Sequence, residues 1–113
     1  MVKKLGGGSF GTVYLVQRKD SKEMMAAKHQ RAKKANDMRY IRRELEILEL
    51  LSDGENIVSL MDYFESSLQG VILTEFLIGG ELFERISSKE YNLTEPKCRE
   101  FVKQVRTFNL NIC

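Results

Sequence analysis

The sequence predicts an α+β fold in which five short antiparallel strands carry one long helix, with two further helices after them. Three observations support this prediction. Short apolar runs with strand chemistry alternate with glycine-rich and polar turns. One segment near the middle repeats its apolar residues at helical spacing. The length of 113 residues is enough for one modest domain.

The first two strands flank a glycine-rich segment, LGGGSFGTV, which spaces Gly6, Gly8 and Gly11 as G-x-G-x-x-G. The residues after Gly11 are β-branched, aromatic and aliphatic, so a strand follows it. A dinucleotide-binding fingerprint needs glycines that open a helix, and this segment does not provide them. We expect the glycines at a hairpin tip, where bare backbone N–H groups can approach phosphates. From the spacing alone, an ordinary turn is the alternative.

The third strand, predicted at 23–29, has a lysine among apolar residues. Because side chains alternate along a strand, Lys28 shares a face with Met24 and the small Ala26. One interpretation is a cation held near bound phosphate, with Ala26 leaving room for a flat ring. The alternative is a strand-end lysine whose ammonium reaches water.

The long helix is predicted to start at a cap on Asn36 or Asp37 and to run to about Ser52. Its apolar arc consists of Tyr40, Ile41, Leu45, Ile47, Leu48 and Leu51, and its solvated side carries Arg42, Glu46 and Glu49. Glu44 falls inside the apolar arc, where an unpaired carboxylate is costly. We therefore expect Glu44 to pair with Lys28. A hydrated position at a loosely packed edge is the alternative.

Two strands and two helices complete the prediction. After a turn at Asp53-Gly54, the strands are expected at 57–65 and 71–76. A short helix over 81–87 is expected to turn Leu82, Phe83 and Ile86 inward, and Thr94 is expected to cap a longer helix with Pro96 in its first turn. The stripe of that helix, predicted to be core packing, is Cys98, Phe101, Val102 and Val105.

The last eight residues, 106–113, change period. Phe108, Leu110 and Ile112 alternate with Thr107, Asn109 and Asn111, which is strand-like and poor in helix formers. This change favours a product cut short by splicing, intron read-through or an incomplete gene model. An evolved helix end at Asn109 is the alternative.

Together these motifs resemble the amino-terminal lobe of a eukaryotic-type protein kinase over about residues 2–105. The matching segments are LGGGSFGTV, Met25–Lys28 in place of V-A-I-K, Glu44 on the long helix, Thr74–Leu77 as gatekeeper and hinge, GGELFERI at 79–86 and LTE at 93–95. The last two are closest to calmodulin-dependent, myosin light chain kinase-like serine/threonine kinases. The resemblance implies a lobe and hinge over 1–78, the start of a carboxy-terminal lobe over 79–105 and a divergent tail over 106–113.

The resemblance also implies a site for ATP, with Lys28 and Glu44 as the catalytic pair. The nucleotide-binding residues would be Leu5, Gly6, Gly7, Gly8, Ser9, Phe10, Gly11, Val13, Ala26, Lys28, Thr74, Glu75, Leu77 and Glu81. No H-R-D loop and no D-F-G stand in these 113 residues, so we expect no phosphoryl transfer by this chain alone. We expect Mg²⁺ and a protein substrate only in the complete enzyme.

Composition excludes several other classes. The net charge is +2, and the clustered cations at 31–43 fit a solvated face better than a nucleic-acid patch, so neither nucleic acid nor membrane is an expected partner. One His and two separated Cys, Cys98 and Cys113, form no metal site or disulfide framework and favour reduced thiols in the cytoplasm. The alternative function is a non-catalytic nucleotide-binding or regulatory module that binds a partner kinase through its long helix.

Without a carboxy-terminal lobe, Phe101, Val102 and Val105 would have too little to cover them. This expectation makes a free-standing module less attractive than a portion of a larger kinase or an incomplete gene model.

Overall fold

The computed structural model describes residues 2–112 and, among them, the side chains as far as 106. Cys113, counted above as a reduced thiol, lies outside the described residues, as do the side chains at 107–112. The strands are β1 Lys3–Gly8, β2 Gly11–Gln17, β3 Met24–Arg31, β4 Leu60–Ser66 and β5 Gln69–Glu75, and the helices are α1 Met38–Leu51, α2 Leu82–Ser87 and α3 Glu95–Ile112.

The five strands form one sheet in the order β1-β2-β3-β5-β4, and each neighbouring pair is antiparallel. This confirms the predicted α+β class. The strand β4 begins at Leu60 and not at Ile57, because its pairing with β5 starts opposite Thr74. The hairpin glycines also differ from the prediction, since β1 continues to Gly8 and the turn is confined to Ser9 and Phe10.

The chain divides into two compact units. The first unit consists of Met1–Asp53 and Val58–Phe76, and the second consists of Gly54–Ile57 and Leu77–Cys113. The sheet and α1 belong to the first unit, and α2 and α3 belong to the second.

The core of the first unit lies where α1 crosses the sheet. Met38 and Ile41 of α1 are buried together with Ala32, and Tyr63 of β4 packs against them. A Cβ on Gly70 of β5 would stand 2.6 Å from Ile41 Cγ2, so the absence of a side chain there permits the close approach of the helix. The helix is therefore seated on the β4–β5 side of the sheet.

The face of α1 that is buried is narrower than its apolar arc. Met38, Ile41 and Leu51 are buried, whereas Tyr40 is 65% and Ile47 44% exposed, so the prediction for these last two was wrong. A helix packed on one surface buries a narrow stripe, and an arc estimated from sequence is wider than that stripe.

The helix α1 begins after Asp37, one of the two residues predicted at its cap, but the capping contact itself differs from the prediction. A 3-10 turn at Ala35–Asp37 precedes the helix, and neither Asn36 nor Asp37 caps it through a side chain. The Asp37 carboxylate accepts instead from the backbone N–H of Lys34, at 3.2 Å, and closes the 3-10 turn.

In the second unit, α2 and α3 begin close to where the sequence predicts them. Leu82 and Phe83 of α2 are 46% and 73% exposed, so the inward orientation predicted for them was wrong. The stripe on α3 is likewise not core, because Val102 is 66% and Val105 57% exposed. The helix α3 continues to Ile112, which contradicts both the strand-like interpretation of 107–112 and a helix end at Asn109. No helix in the described part of the chain is long and apolar enough to span a bilayer.

Candidate functional site

One face of the sheet brings together four residues of the predicted site: Val13, Ala26, Lys28 and Thr74. The register of β2, β3 and β5 places Val13, Lys28 and Ile72 opposite one another, and Ala26 opposite Thr74. Opposite residues in antiparallel strands project to the same face. Ile72 lies on the part of this face that α1 covers and is 1% exposed. The others are half-buried, so Lys28 stands at the edge of the helix-covered area.

The ammonium of Lys28 forms an ion pair with Glu44 on α1. The Nζ–Oε1 distance is 2.7 Å, and the predicted pairing is confirmed. The premise of a buried carboxylate was wrong, since the Lys28 and Glu44 side chains are 29% and 36% exposed. By helical spacing Glu44 falls between Ile41 and Leu51 on the stripe of α1, as predicted, but its carboxylate remains partly exposed. The pair is therefore accessible to a ligand and to water.

A third group at this pair was missed from sequence. Gln30 donates from Nε2 to the second carboxylate oxygen of Glu44, Oε2, at 2.9 Å. Gln30 follows Lys28 by two residues and so shares its face of β3. That alternation was the signal that could have identified it.

The glycine-rich hairpin pairs regularly near its turn and has a β-bulge farther from the turn. Gly6, Gly7 and Gly8 pair with Val13, Thr12 and Gly11, and the register shifts between Lys4 and Gly6, which makes Leu5 the bulge residue. A Cβ added at Gly6 or Gly8 would meet no atom within 4 Å, so the space over these two glycines is open. Phe10 at the turn is 79% exposed.

Gly11 is the position where the hairpin lies against β3. Its φ is +126°, and a Cβ there would stand 2.4 Å from the carbonyl oxygen of His29 and 3.1 Å from Cγ of Gln30. Only glycine combines this backbone conformation with so close an approach. The third glycine of the motif therefore fixes the hairpin to the strand that carries Lys28.

The residues that the sequence predicts as gatekeeper, hinge and ribose contact divide between the two units. In the first unit, the backbone N–H of Glu75 donates to the Ser59 carbonyl at 3.0 Å, and the Thr74 hydroxyl donates to the Glu75 carbonyl at 3.4 Å. In the second unit, Leu77 is 61% exposed and Glu81 is exposed immediately before α2. Glu81 lines a cleft of about 470 Å³ together with Arg85 and Tyr91. Within the described residues, no group of three or more His, Cys, Asp or Glu could hold a metal ion.

A second polar network fastens α1 to β4. Arg42 donates from Nε to Glu65 Oε1 at 3.0 Å, and the Tyr63 hydroxyl donates to Glu65 Oε2 at 2.7 Å. Burial, reinforced by the hydrogen bond to Glu65, raises the pKa of Tyr63 to about 12. Hydrogen bonds from Arg42 and Tyr63 lower the pKa of Glu65. The hydrogen bond to Glu65 and the negative charge of its carboxylate raise the pKa of Arg42. Arg42 is exposed as predicted, but it also links the helix to the sheet.

The sequence profile of the protein kinase domain matches residues 1–108. The chain is 38% identical over 101 residues to myosin light chain kinase 3 of Homo sapiens, covering 89% of this chain and 12% of that protein. It is 37% identical over 101 residues to the human myosin light chain kinase family member 4, covering 89% of this chain and 26% of that protein. It is 34% identical over 103 residues to the smooth muscle myosin light chain kinase of Gallus gallus, covering 91% of this chain and 5% of that protein.

A solved structure that the chain resembles is also a kinase domain. The autoinhibited serine kinase domain of the giant muscle protein titin matches with a TM-score of 0.79 and 28% identity, over 96% of this chain and 34% of that chain. The chain therefore spans a small part of the length of the proteins that it matches.

Proposed function

The chain belongs to the protein kinase domain family, and from that membership we propose that it forms the ATP-binding portion of a serine/threonine protein kinase. One observation carries the proposal: the Lys28–Glu44 ion pair, with its 2.7 Å contact, stands on the same sheet face as Val13 and Ala26, beside the glycine-rich hairpin. A cation held by a carboxylate next to bare backbone amides is suited to polyphosphate.

Two features of the first unit support the binding of a triphosphate in this proposal. Open space over Gly6 and Gly8 lets the ribbon approach an anion without interference from side chains. An ammonium group has three N–H donors, and the contact to Glu44 occupies one of them. The remaining donors of Lys28 are available to phosphate oxygens. In this proposal the backbone from Gly6 to Gly11 covers the phosphates and Lys28 contacts the inner ones.

The base would lie on the apolar part of the same face. Leu5, Val13 and Ala26 would enclose the adenine, and Ala26 is small enough to leave room for a flat ring. The N–H of Glu75 is engaged by Ser59, so its carbonyl is the group it would offer to the adenine edge. Leu77 would contribute backbone groups.

The outer contacts of the nucleotide complete the proposed site. Glu81 would reach the ribose. Thr74 would act as a small gatekeeper, with its hydroxyl already donating to the Glu75 carbonyl at 3.4 Å. These residues position the nucleotide, and none of them removes a proton from a protein substrate.

Transfer of the phosphoryl group to a protein Ser or Thr is proposed for the complete enzyme. The 113 residues contain no H-R-D loop to supply a base and no D-F-G aspartate, so we propose that they bind nucleotide and transfer nothing alone. When bound, Mg²⁺ neutralises charge on the phosphate oxygens. The cytoplasm, with ATP and a reducing poise that suits the free thiol of Cys98, is the proposed location.

The test measures binding of a non-hydrolysable ATP analogue with Mg²⁺ by calorimetry, using the protein at its full length. Lys28→Met should weaken binding by about tenfold or more, because it removes charge-assisted hydrogen bonds to phosphate. Lys33→Met is the matched control, since Lys33 is exposed just beyond β3, and it should retain the wild-type affinity. Equal affinities for wild type and Lys28→Met would refute the role of Lys28.

A further inference from the structure

The two oxygens of the Glu44 carboxylate are held by two different side chains of β3. Lys28 contacts Oε1 at 2.7 Å and Gln30 donates to Oε2 at 2.9 Å. Both donors lie on one face of the strand, two residues apart, so the carboxylate is held against that strand at two points. A single contact would leave the carboxylate free to rotate about its own axis.

The ion pair alone is a poor positioning device. Its members are 29% and 36% exposed, and exposed ion pairs gain little because water screens the charges and both long side chains must be ordered. A neutral amide that donates to the second oxygen fixes the plane of the carboxylate and leaves its negative charge paired with Lys28. Gln30 supplies this second, uncharged contact.

Gln30 is itself held between the hairpin and the helix. Its Cγ lies 3.1 Å from the position that a Cβ on Gly11 would occupy, and its amide reaches Glu44 of α1. The carboxylate can only accept, so the amide nitrogen must face it. Gln30 therefore lies close to Gly11 of the hairpin and is hydrogen-bonded to α1.

The orientation of this amide has a cost. Oε1 of Gln30 is buried and has no hydrogen-bond partner among the described residues. A buried acceptor without a partner is unfavourable, so an apolar side chain of the same length would suit the packing better. Glutamine, unlike an apolar side chain, provides the hydrogen bond to Glu44.

We infer that Gln30 is a positioning residue, which orients Glu44 toward Lys28 and holds α1 in register with the glycine-rich hairpin. The inference rests on the proposed nucleotide site and adds to it a side chain that does not touch the nucleotide.

The experiment compares Gln30→Met with Gln69→Met in the full-length protein. Methionine keeps the length of glutamine and removes its amide. Gln69 is the matched control, because it hydrogen-bonds His29 at 2.8 Å on the same sheet and does not contact Glu44. Gln30→Met should weaken binding of the Mg²⁺–ATP analogue about three- to tenfold, the scale of the net contribution of one ordinary intramolecular hydrogen bond. Gln69→Met should bind as wild type does.

Two further readouts separate positioning from ordinary structural support. The melting temperature of Gln30→Met should be unchanged or higher, since the buried unpaired acceptor is gone. In a Lys28→Met background, Gln30→Met should have almost no further effect on affinity, because the two side chains act through one carboxylate. Additive losses, or a lower melting temperature together with the lost affinity, would overturn the inference.

A measurement that uses no nucleotide tests the positioning role of Gln30 independently of the proposed ATP binding. Acylation of the Lys28 amine by acetic anhydride, quantified by mass spectrometry, should be faster in Gln30→Met than in wild type or Gln69→Met, because a loosened pair exposes the amine. If wild type binds no ATP analogue but this acceleration is seen, the proposed function fails and the positioning role stands. If wild type binds ATP and Gln30→Met alters neither affinity nor acylation, the positioning role fails and the proposed function stands.

Discussion

The two units use similar apolar patterns with different results. All seven buried apolar side chains among those described, including Met38, Ile41 and Ile72, lie in the first unit. In the second unit no described side chain is buried, and residues on the apolar stripes of its helices, such as Phe83 at 73% and Val102 at 66%, are largely exposed. An amphipathic period predicts a helix in both units, but it does not ensure that a partner covers the apolar stripe.

The sheet explains the difference. In the first unit α1 packs on β4 and β5 of a five-stranded sheet, which offer a continuous surface to its narrow buried stripe. Within the second unit, α2 has only six residues and α3 is one helix, so their own residues offer little surface for packing. Surface of this kind is where a further part of a protein or a partner would pack.

Core truncation should give the largest contrast between the units. Ile72 is 1% exposed, and Ile72→Ala should lower the free energy of unfolding by about 2–5 kcal/mol, through lost burial and the cavity that remains. Val102→Ala, at a 66% exposed position, should cost less than about 0.5 kcal/mol. Urea unfolding followed by circular dichroism measures both. Similar losses in the two variants would mean that α3 is covered in solution.

A pair of glycines tests the same contrast by adding one methyl group. Gly70→Ala would place a Cβ 2.6 Å from Ile41 Cγ2 and should cost about 1–3 kcal/mol by overpacking. Gly79→Ala would meet no atom within 4 Å and should be neutral or stabilising by up to about 1 kcal/mol. Differential scanning calorimetry gives both shifts. A stable Gly70→Ala variant would mean that α1 is not seated closely on β5.

Alkaline pH should destabilise the first unit through Tyr63. Its pKa is raised to about 12 from 10.0, so the folded state keeps the proton in a range where the unfolded chain loses it. The stability that this group contributes is complete below pH 10 and is lost as the pH rises toward 12. The urea midpoint of the wild type should therefore fall over that range, and the midpoint of Tyr63→Phe should fall less. Tyr91→Phe, in the second unit, should keep the wild-type fall. An identical fall in Tyr63→Phe would contradict the assignment.

Removing an ion pair should change the free energy of unfolding by a small amount in both units, which makes this the smallest contrast between them. Lys28→Met should change the free energy of unfolding by less than about 1 kcal/mol, since the pair with Glu44 is 29% and 36% exposed. Arg99→Ala, which removes the 2.6 Å contact to Glu95 within α3, should cost about 0.2–0.5 kcal/mol. Chemical unfolding measures both. A loss of several kcal/mol in Lys28→Met would show that this pair is desolvated in solution.

Much of the site could be predicted because its chemistry is local in sequence. The strand that carries Lys28 and the helix that carries Glu44 each have a clear period, and two opposite charges on apolar elements predict their own pairing. The contact of Arg42 with Glu65 spans 23 positions and could not be predicted, because it depends on where α1 lies along β4. The continuation of α3 past Arg106 was also missed, since six residues of alternating polarity were read as strand chemistry while the helix had already begun twelve residues earlier.

By itself, the sequence determined the five strands and the starts of the three helices, though not the end of α3, together with the glycine spacing of the hairpin and the pairing of Lys28 with Glu44. These follow from backbone preferences and side-chain periodicity, which operate over a few residues. The tertiary structure alone decided that Gln30 holds the second oxygen of Glu44, that Gly11 lies against β3 and that the ion pair is half-exposed. Each of these depends on strand register and on the seating of a helix, and both are fixed by packing between residues distant in the chain.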